Sequence, residues 1–67
     1  MKKLVSVIVP LLNEENSLKI IFDELIRIKN ELISKFDFEF IFIDDGSDDD
    51  TFNQLNLISK ENDFVKV

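Results

Sequence analysis

The chain has 67 residues, no cysteine, no histidine and a formal net charge of −6. This composition excludes disulfides, thiolate chemistry and the usual zinc sites, and the acidic balance argues against a nucleic-acid partner. A chain of this length forms at most one small domain, and an apolar content of 45% argues against disorder.

The first predicted element is a strand from Leu4 to Val9, a short run of mostly β-branched aliphatic residues. An unbroken apolar run of this kind is typical of a strand buried on both faces in a parallel sheet. Pro10 is expected to end the strand, because its ring removes a backbone donor. Residues 11–15 are then predicted to form a loop.

A long amphipathic helix is predicted from about Asn16 to Ser34. Its apolar residues recur at three- and four-residue steps and form one stripe of Leu18, Ile21, Phe22, Leu25, Ile28 and Leu32. Asn13 or Asn16 could cap this helix. Glu14 and Glu15 would suit the positive end of its dipole.

The second predicted strand, Phe38 to Ile43, is again nearly all apolar, which predicts burial on both faces. Its carboxyl end is followed directly by the segment Asp44-Asp45-Gly46-Ser47-Asp48-Asp49-Asp50. In open α/β sheets, ligands bind just beyond the carboxyl ends of strands, which is where these acids fall. Gly46 is expected to adopt a positive φ.

A second helix is predicted from about Asp50 to Lys60, with Phe52, Leu55 and Ile58 on its apolar stripe. The serine and aspartates before it supply capping oxygens. The segment Phe64 to Val67 predicts the opening of a third strand. The order β-α-β-α-β indicates an α/β fold with parallel strands joined by right-handed crossovers.

Parallel strands place both intervening loops at one edge of the sheet, so residues 10–14 and 44–47 are predicted to form a single rim. Its carboxylates, the Asn13 amide and its free backbone groups suit the hydroxyls and base edge of a nucleoside. The glycine-rich turn of an NAD site is missing after the first strand, so such a site is not expected.

The acids of this rim divide into two predicted roles. Asp44 and Asp45 are predicted to bind the ligand, whereas residues 48–50 are predicted to form a solvated turn and helix cap. No metal site is predicted within the chain, because the calcium-loop pattern fails: Gly46 is misplaced and no glutamate closes the loop at the required distance.

Two blocks, Val5 to Glu15 and Ile41 to Thr51, resemble in residues and spacing the opening of a family 2 glycosyltransferase. The Asn-Glu-Glu form and the long first helix look most like the members that charge polyprenyl phosphates, the dolichol-phosphate mannose synthase-like enzymes. The resemblance implies a GT-A fold, in which a Rossmann-like nucleotide-binding half precedes an acceptor-binding half. It further implies transfer of a sugar from a UDP- or GDP-linked donor to an acceptor, with inversion.

The resemblance carries a nucleotide-contacting role to five positions of this chain: Pro10, Leu12, Glu14, Ile43 and Asp45. Asp45 is the carboxylate expected on the base or ribose. Leu12 departs from the family pattern, which usually has an aromatic residue there.

The resemblance also implies features that residues 1–67 do not contain. A divalent metal, Mg²⁺ or Mn²⁺, is expected through a downstream Asp-x-Asp motif, and the general base and acceptor site are expected downstream as well. Residues 1–67 are therefore interpreted as the incomplete N-terminal part of one domain, with no catalytic residue and no activity alone. The intact enzyme is expected in the cytoplasm or at the cytoplasmic face of a membrane, with membrane contact only through later regions.

Two alternatives remain open at this point. The first is a receiver-type signalling module, in which an acidic pair at a strand end holds magnesium beside a phosphorylated aspartate. The acidic pair here follows the second strand rather than the first, which argues against that alternative. The second is a non-catalytic remnant that folds poorly, which a cooperative thermal transition would contradict.

Overall fold

The computed structural model describes residues 2–67, so Met1 of the predicted domain lies outside the described residues. Three strands and two helices follow one another as β1 (Lys3–Leu11), α1 (Leu18–Glu31), β2 (Phe36–Asp44), α2 (Thr51–Glu61) and β3 (Val65–Lys66). The strands form one parallel sheet in the order β1-β2-β3. The predicted α/β class and parallel topology are confirmed.

The register of the sheet aligns the carboxyl ends of β1 and β2. Leu11, the last residue of β1, pairs with Asp44, the last residue of β2. The pairing continues one step further, because the Asp45 N–H donates to the Leu11 carbonyl at 2.9 Å. The loops after the two strands therefore leave the sheet from adjacent points.

Both helices cover the same face of the sheet. The buried apolar side chains come from all five elements and form one cluster of Leu11, Leu18, Phe38, Phe40, Phe42, Leu55 and Val65. Right-handed crossovers that step along a sheet in one direction place successive helices on the same side. The core of the described chain is therefore the single layer between the helices and this face.

The prediction that the first two strands are buried on both faces is wrong. Burial alternates along β1, where Leu4 is 60% and Ile8 is 62% exposed. On β2, Phe40 is buried while Ile43 is 49% exposed. The second face of the sheet carries apolar residues too, but neither α1 nor α2 packs on it, so its side chains remain open to water.

The prediction that Pro10 ends the first strand is also wrong, because β1 continues through it to Leu11. Leu11 points its carbonyl at β2, where it accepts the Asp45 N–H. Successive residues of a strand direct their backbone groups to opposite sides, so the Pro10 nitrogen faces the free edge of the sheet. No ladder hydrogen bond is lost there, which is why an edge strand tolerates proline.

The first helix is shorter than predicted. It spans Leu18–Glu31, and residues 32–35 form turns in which the Leu32 carbonyl accepts the N–H groups of Lys35 and Phe36. The N-terminal part of the predicted stripe packs on the core, whereas Ile28 and Leu32 are exposed. The predicted bounds of α2 and β3 hold to within one residue. Among residues 2–67, neither helix combines the length and apolar character needed to cross a bilayer.

Candidate functional site

The loops that follow β1 and β2 are joined by a set of hydrogen bonds, which we call the loop clasp. It connects residues 13–15 with residues 47–51. Three consecutive backbone N–H groups donate to side chains of the second loop and α2: Asn13 to Ser47 Oγ (2.9 Å), Glu14 to Thr51 Oγ1 (2.9 Å) and Glu15 to Asp49 Oδ2 (3.2 Å). The clasp thus fixes the first loop through its backbone.

Two hydrogen bonds of the loop clasp run in the opposite direction. Asn13 Oδ1 accepts the Asp48 N–H at 2.8 Å, and Glu15 Oε2 accepts the Asp50 N–H at 3.2 Å. Asn13 adopts a φ of +53°, a left-handed conformation that asparagine tolerates better than most residues. The two loops are therefore held by donors and acceptors on both sides.

The predicted caps of the first helix are wrong. The N-cap of α1 is Ser17, which makes no side-chain capping hydrogen bond, and neither Asn13 nor Asn16 fills that role. The Asn13 side chain instead accepts the Asp48 N–H in the loop clasp. A hydrogen bond to a residue 35 positions away along the chain could not be read from local sequence.

Glu14 and Glu15 do not have their predicted role, which was to complement the positive end of the dipole of the first helix. The first turn of α1 contains no acidic residue, since Glu14 and Glu15 precede it. The Glu15 carboxylate accepts the N–H of Asp50, the N-cap of α2. It therefore complements the positive end of the second helix.

Asp44 and Asp45 are adjacent in sequence but differ in their surroundings. Asp44 Oδ1 accepts both the backbone N–H of Ser47 at 3.1 Å and its hydroxyl at 2.5 Å, which commits this oxygen to a turn. Gly46 has a φ of +88° in that turn, as predicted. Asp45 is exposed, and within residues 2–67 no hydrogen bond or ion pair occupies its carboxylate. Asp45 is therefore more available to a ligand than Asp44, which is half-buried and has one oxygen engaged by Ser47.

The remaining predicted site residues lie at the same rim. Pro10 and Ile43 pair in register near the ends of β1 and β2, and both are exposed. Leu12 is 50% exposed, and Glu14 is half-buried. The structure thus brings all seven predicted positions, including Asn13, Asp44 and Asp45, to one edge of the sheet.

The aspartates at 48–50 do more than form the predicted solvated turn. Asp49 is half-buried, and its Oδ1 accepts the Thr51 hydroxyl at 2.5 Å and the Thr51 N–H at 2.9 Å. Asp50 is the N-cap of α2, but its carboxylate makes no capping hydrogen bond to the backbone. It accepts instead from the side-chain amides of Asn53 and Gln54.

The pKa of Asp49 lies below its ordinary value of 3.8, mainly because the carboxylate accepts a hydrogen bond from the Thr51 hydroxyl. The backbone N–H groups of Thr51 and Glu15 act in the same direction. A folded-state pKa below the unfolded value means that the carboxylate stabilises the fold above pH 3.8. That contribution is lost as the pH falls through the folded-state pKa.

Replacing Asp49 with asparagine should therefore lower the melting temperature at neutral pH, because an amide cannot accept from both Thr51 and Glu15. The difference in melting temperature between the variant and the wild type should persist down to about pH 4 and become smaller at lower pH. Thermal melts over this pH range measure it, with Asp48→Asn as a control, since no hydrogen bond within residues 2–67 involves the Asp48 carboxylate. A difference that stays constant in more acidic solution would contradict this assignment.

Thr51 is the residue of this region that the sequence analysis did not single out. Its exposure is 0%, and it is the one buried polar residue among residues 2–67. Phe52, predicted on the apolar stripe, is instead 49% exposed. The spacing of Thr51, Leu55 and Ile58 at four- and three-residue steps was the available signal that the threonine lies on the buried face of α2.

The rim is acidic and contains no cationic side chain. No lysine or arginine occurs in residues 4–18 or 36–59. Within the described part of the chain, no three potential ligands come together as a cation site. The Asp44 and Asp49 carboxylates accept hydrogen bonds from hydroxyl groups, so the residues described here do not supply the ligand cluster that a divalent metal needs.

The family model described as Glycosyl transferase family 2 matches residues 6–67. No curated protein and no solved structure matches the chain. The matched residues include both loops of the clasp and all three strands, apart from the first residues of β1. The alternating order of elements with three parallel strands is that of the start of a Rossmann-like GT-A domain. The chain therefore belongs to glycosyl transferase family 2.

Proposed function

We propose that this chain forms the donor-binding part of a glycosyltransferase and that its rim binds the nucleoside of a nucleotide-sugar. Family membership supports glycosyl transfer and decides against the receiver-type module. The observation that carries the site is the contrast at the end of β2. There one oxygen of the Asp44 carboxylate is engaged by Ser47, while the Asp45 carboxylate remains exposed beside the first loop.

Asp45 would accept hydrogen bonds from ribose hydroxyls or from a ring N–H of the base, since an ionised carboxylate is an acceptor only. The exposed apolar side chains at the same rim, Leu12 and Ile43, would pack against the base, with Pro10 beside them. Asn13 and Glu14 belong to the segment that approaches the nucleoside. Asp44 shapes the turn that presents Asp45.

The charge of the rim favours the uncharged part of the donor. A diphosphate brings negative charge to a surface where lysine and arginine are absent from residues 4–18 and 36–59. The rim therefore suits the nucleoside rather than the phosphates. A divalent metal held by an Asp-x-Asp motif outside these residues would supply the neutralising charge when bound.

The finer features of the reaction rest on the resemblance alone. They are a UDP- or GDP-linked hexose as donor, a polyprenyl phosphate as acceptor, inversion at the anomeric carbon, and action in the cytoplasm or at the cytoplasmic face of a membrane. The general base and acceptor site would lie outside residues 1–67, which would then form the first part of one larger domain.

The proposal is tested by titrating the protein with uridine, guanosine, UDP and GDP while following backbone amide shifts by NMR. One base is expected to shift amides of residues 11–15 and 43–47, and its diphosphate should bind no more tightly than the nucleoside. Shifts confined to the opposite end of the strands, near Phe36 and Phe38, would overturn the site. The absence of any shift with all four ligands would overturn the function.

A further inference from the structure

Thr51 connects the start of α2 to the first loop through a buried hydroxyl. The side chain has no exposed surface. Its Oγ1 accepts the Glu14 N–H at 2.9 Å and donates to Asp49 Oδ1 at 2.5 Å. Both hydrogen-bonding capacities of the hydroxyl, donor and acceptor, are therefore used within the loop clasp.

The peptide groups of Glu14 link three elements. The Glu14 N–H is held by Thr51 at the start of α2, and the Glu14 carbonyl accepts the N–H groups of Ser17 (3.0 Å) and Leu18 (2.9 Å) at the start of α1. Asp49 extends this link, because its second carboxylate oxygen accepts the Glu15 N–H. Thr51 and Asp49, from the start of α2 and the second loop, thus hold two of the three consecutive backbone N–H groups of the first loop that enter the loop clasp.

We propose that Thr51 and Asp49 are positioning residues for nucleoside binding, which they support by holding residues 12–14 beside Asp45. This inference rests on the proposed function. Thr51 is fully buried, and both carboxylate oxygens of Asp49 accept hydrogen bonds from the protein, so neither side chain needs to contact the ligand. They act through the backbone of Glu14 and Glu15.

The expected loss of nucleoside affinity depends on the fraction of molecules in which the first loop is correctly placed. When only a fraction of the molecules has the binding-competent conformation, the apparent dissociation constant rises by the inverse of that fraction. In Thr51→Val the half-buried Glu14 N–H would lose its acceptor, which destabilises the correctly placed loop. Loosening the clasp should therefore weaken nucleoside binding by about tenfold.

The test compares Thr51→Val, which keeps the volume but removes the hydroxyl, with Thr51→Ser, which keeps the hydroxyl. Thr51→Val should weaken binding of uridine or guanosine, whichever the wild type binds, by about tenfold. Thr51→Ser should bind like the wild type. Hydrogen exchange of the Glu14 amide should accelerate in the valine variant only. Should Thr51→Val fail to fold, Asp49→Asn replaces it, because it weakens the same link without changing the core.

Val65→Ala serves as the control for general destabilisation, since Val65 is buried on β3 and takes no part in the loop clasp. It should lower the melting temperature while leaving the nucleoside affinity of the folded protein unchanged. Unchanged affinity in Thr51→Val, or an equal loss in Val65→Ala, would overturn the positioning role. If the wild type binds no nucleoside, the proposed function is overturned instead. In that case hydrogen exchange still tests the positioning role, because an unchanged exchange rate of the Glu14 amide in Thr51→Val would show that Thr51 does not hold the first loop.

Discussion

Replacing Phe40 with alanine should lower the free energy of unfolding by about 3–5 kcal/mol. Phe40 lies at the centre of the sheet with 1% of its surface exposed. Its ring packs against those of Phe38 and Phe64, with centroid separations of 6.2 Å and 5.9 Å. The substitution would leave a cavity beneath both helices and remove both aromatic contacts. Denaturant melts followed by circular dichroism measure the loss.

A loss of this size approaches the whole stability that one small core supplies, so Phe40→Ala is expected to be largely unfolded. Phe40→Leu provides a measurable intermediate, with a loss of about 1–2 kcal/mol, because leucine retains part of the buried area. Ile8→Ala is the matched control, since Ile8 lies on the open face of the same sheet and is 62% exposed. Equal losses at Phe40 and Ile8 would contradict the one-sided core.

Replacing Asp45 with asparagine should weaken nucleoside binding by about 10- to 100-fold. Hydrogen bonds to a charged group contribute about 1.5–3 kcal/mol, and each 1.4 kcal/mol corresponds to a factor of about ten. The Asp45 carboxylate has no partner within residues 2–67, so the fold should keep its melting temperature. Isothermal titration with the preferred nucleoside measures the affinity, and a thermal melt measures the stability.

Asp48→Asn is the matched control for charge, because it removes one negative charge from the same exposed loop. Asp48 contributes its backbone N–H to the loop clasp, while no hydrogen bond within residues 2–67 involves its carboxylate. The control should bind the nucleoside as the wild type does, and should bind the corresponding diphosphate equally or slightly more tightly. Equal weakening in both variants would show a general charge effect and remove the specific role of Asp45.

Asp44 and Asp45 show which features of the site could be predicted from the sequence and which could not. The acidic pair at a strand end was sufficient to predict a binding rim, because strand ends of parallel sheets meet at one edge. It did not separate the two carboxylates. Only the folded loop shows that one oxygen of Asp44 is engaged by Ser47, since side-chain hydrogen bonding depends on the backbone path through Gly46.

For the strands, too, some features could be predicted from the sequence and others could not. Their apolar runs predicted parallel strands correctly, yet they overstated burial because an unbroken run carries no period that separates a covered face from an open one. The position of Pro10 within β1 likewise depends on which backbone groups face the neighbouring strand, a property of the sheet rather than of the segment.

The amino-acid sequence by itself determined the order of elements, the parallel sheet, the positive φ of Gly46 and the meeting of two loops at one edge. These features follow from periodicity, local backbone preferences and the handedness of crossovers. The tertiary structure alone decided that Thr51 accepts the Glu14 N–H, that Asp49 holds the first loop and that one face of the sheet stays open. Those outcomes depend on contacts between residues such as Glu14 and Thr51, which are 37 positions apart and meet only when the sheet has formed.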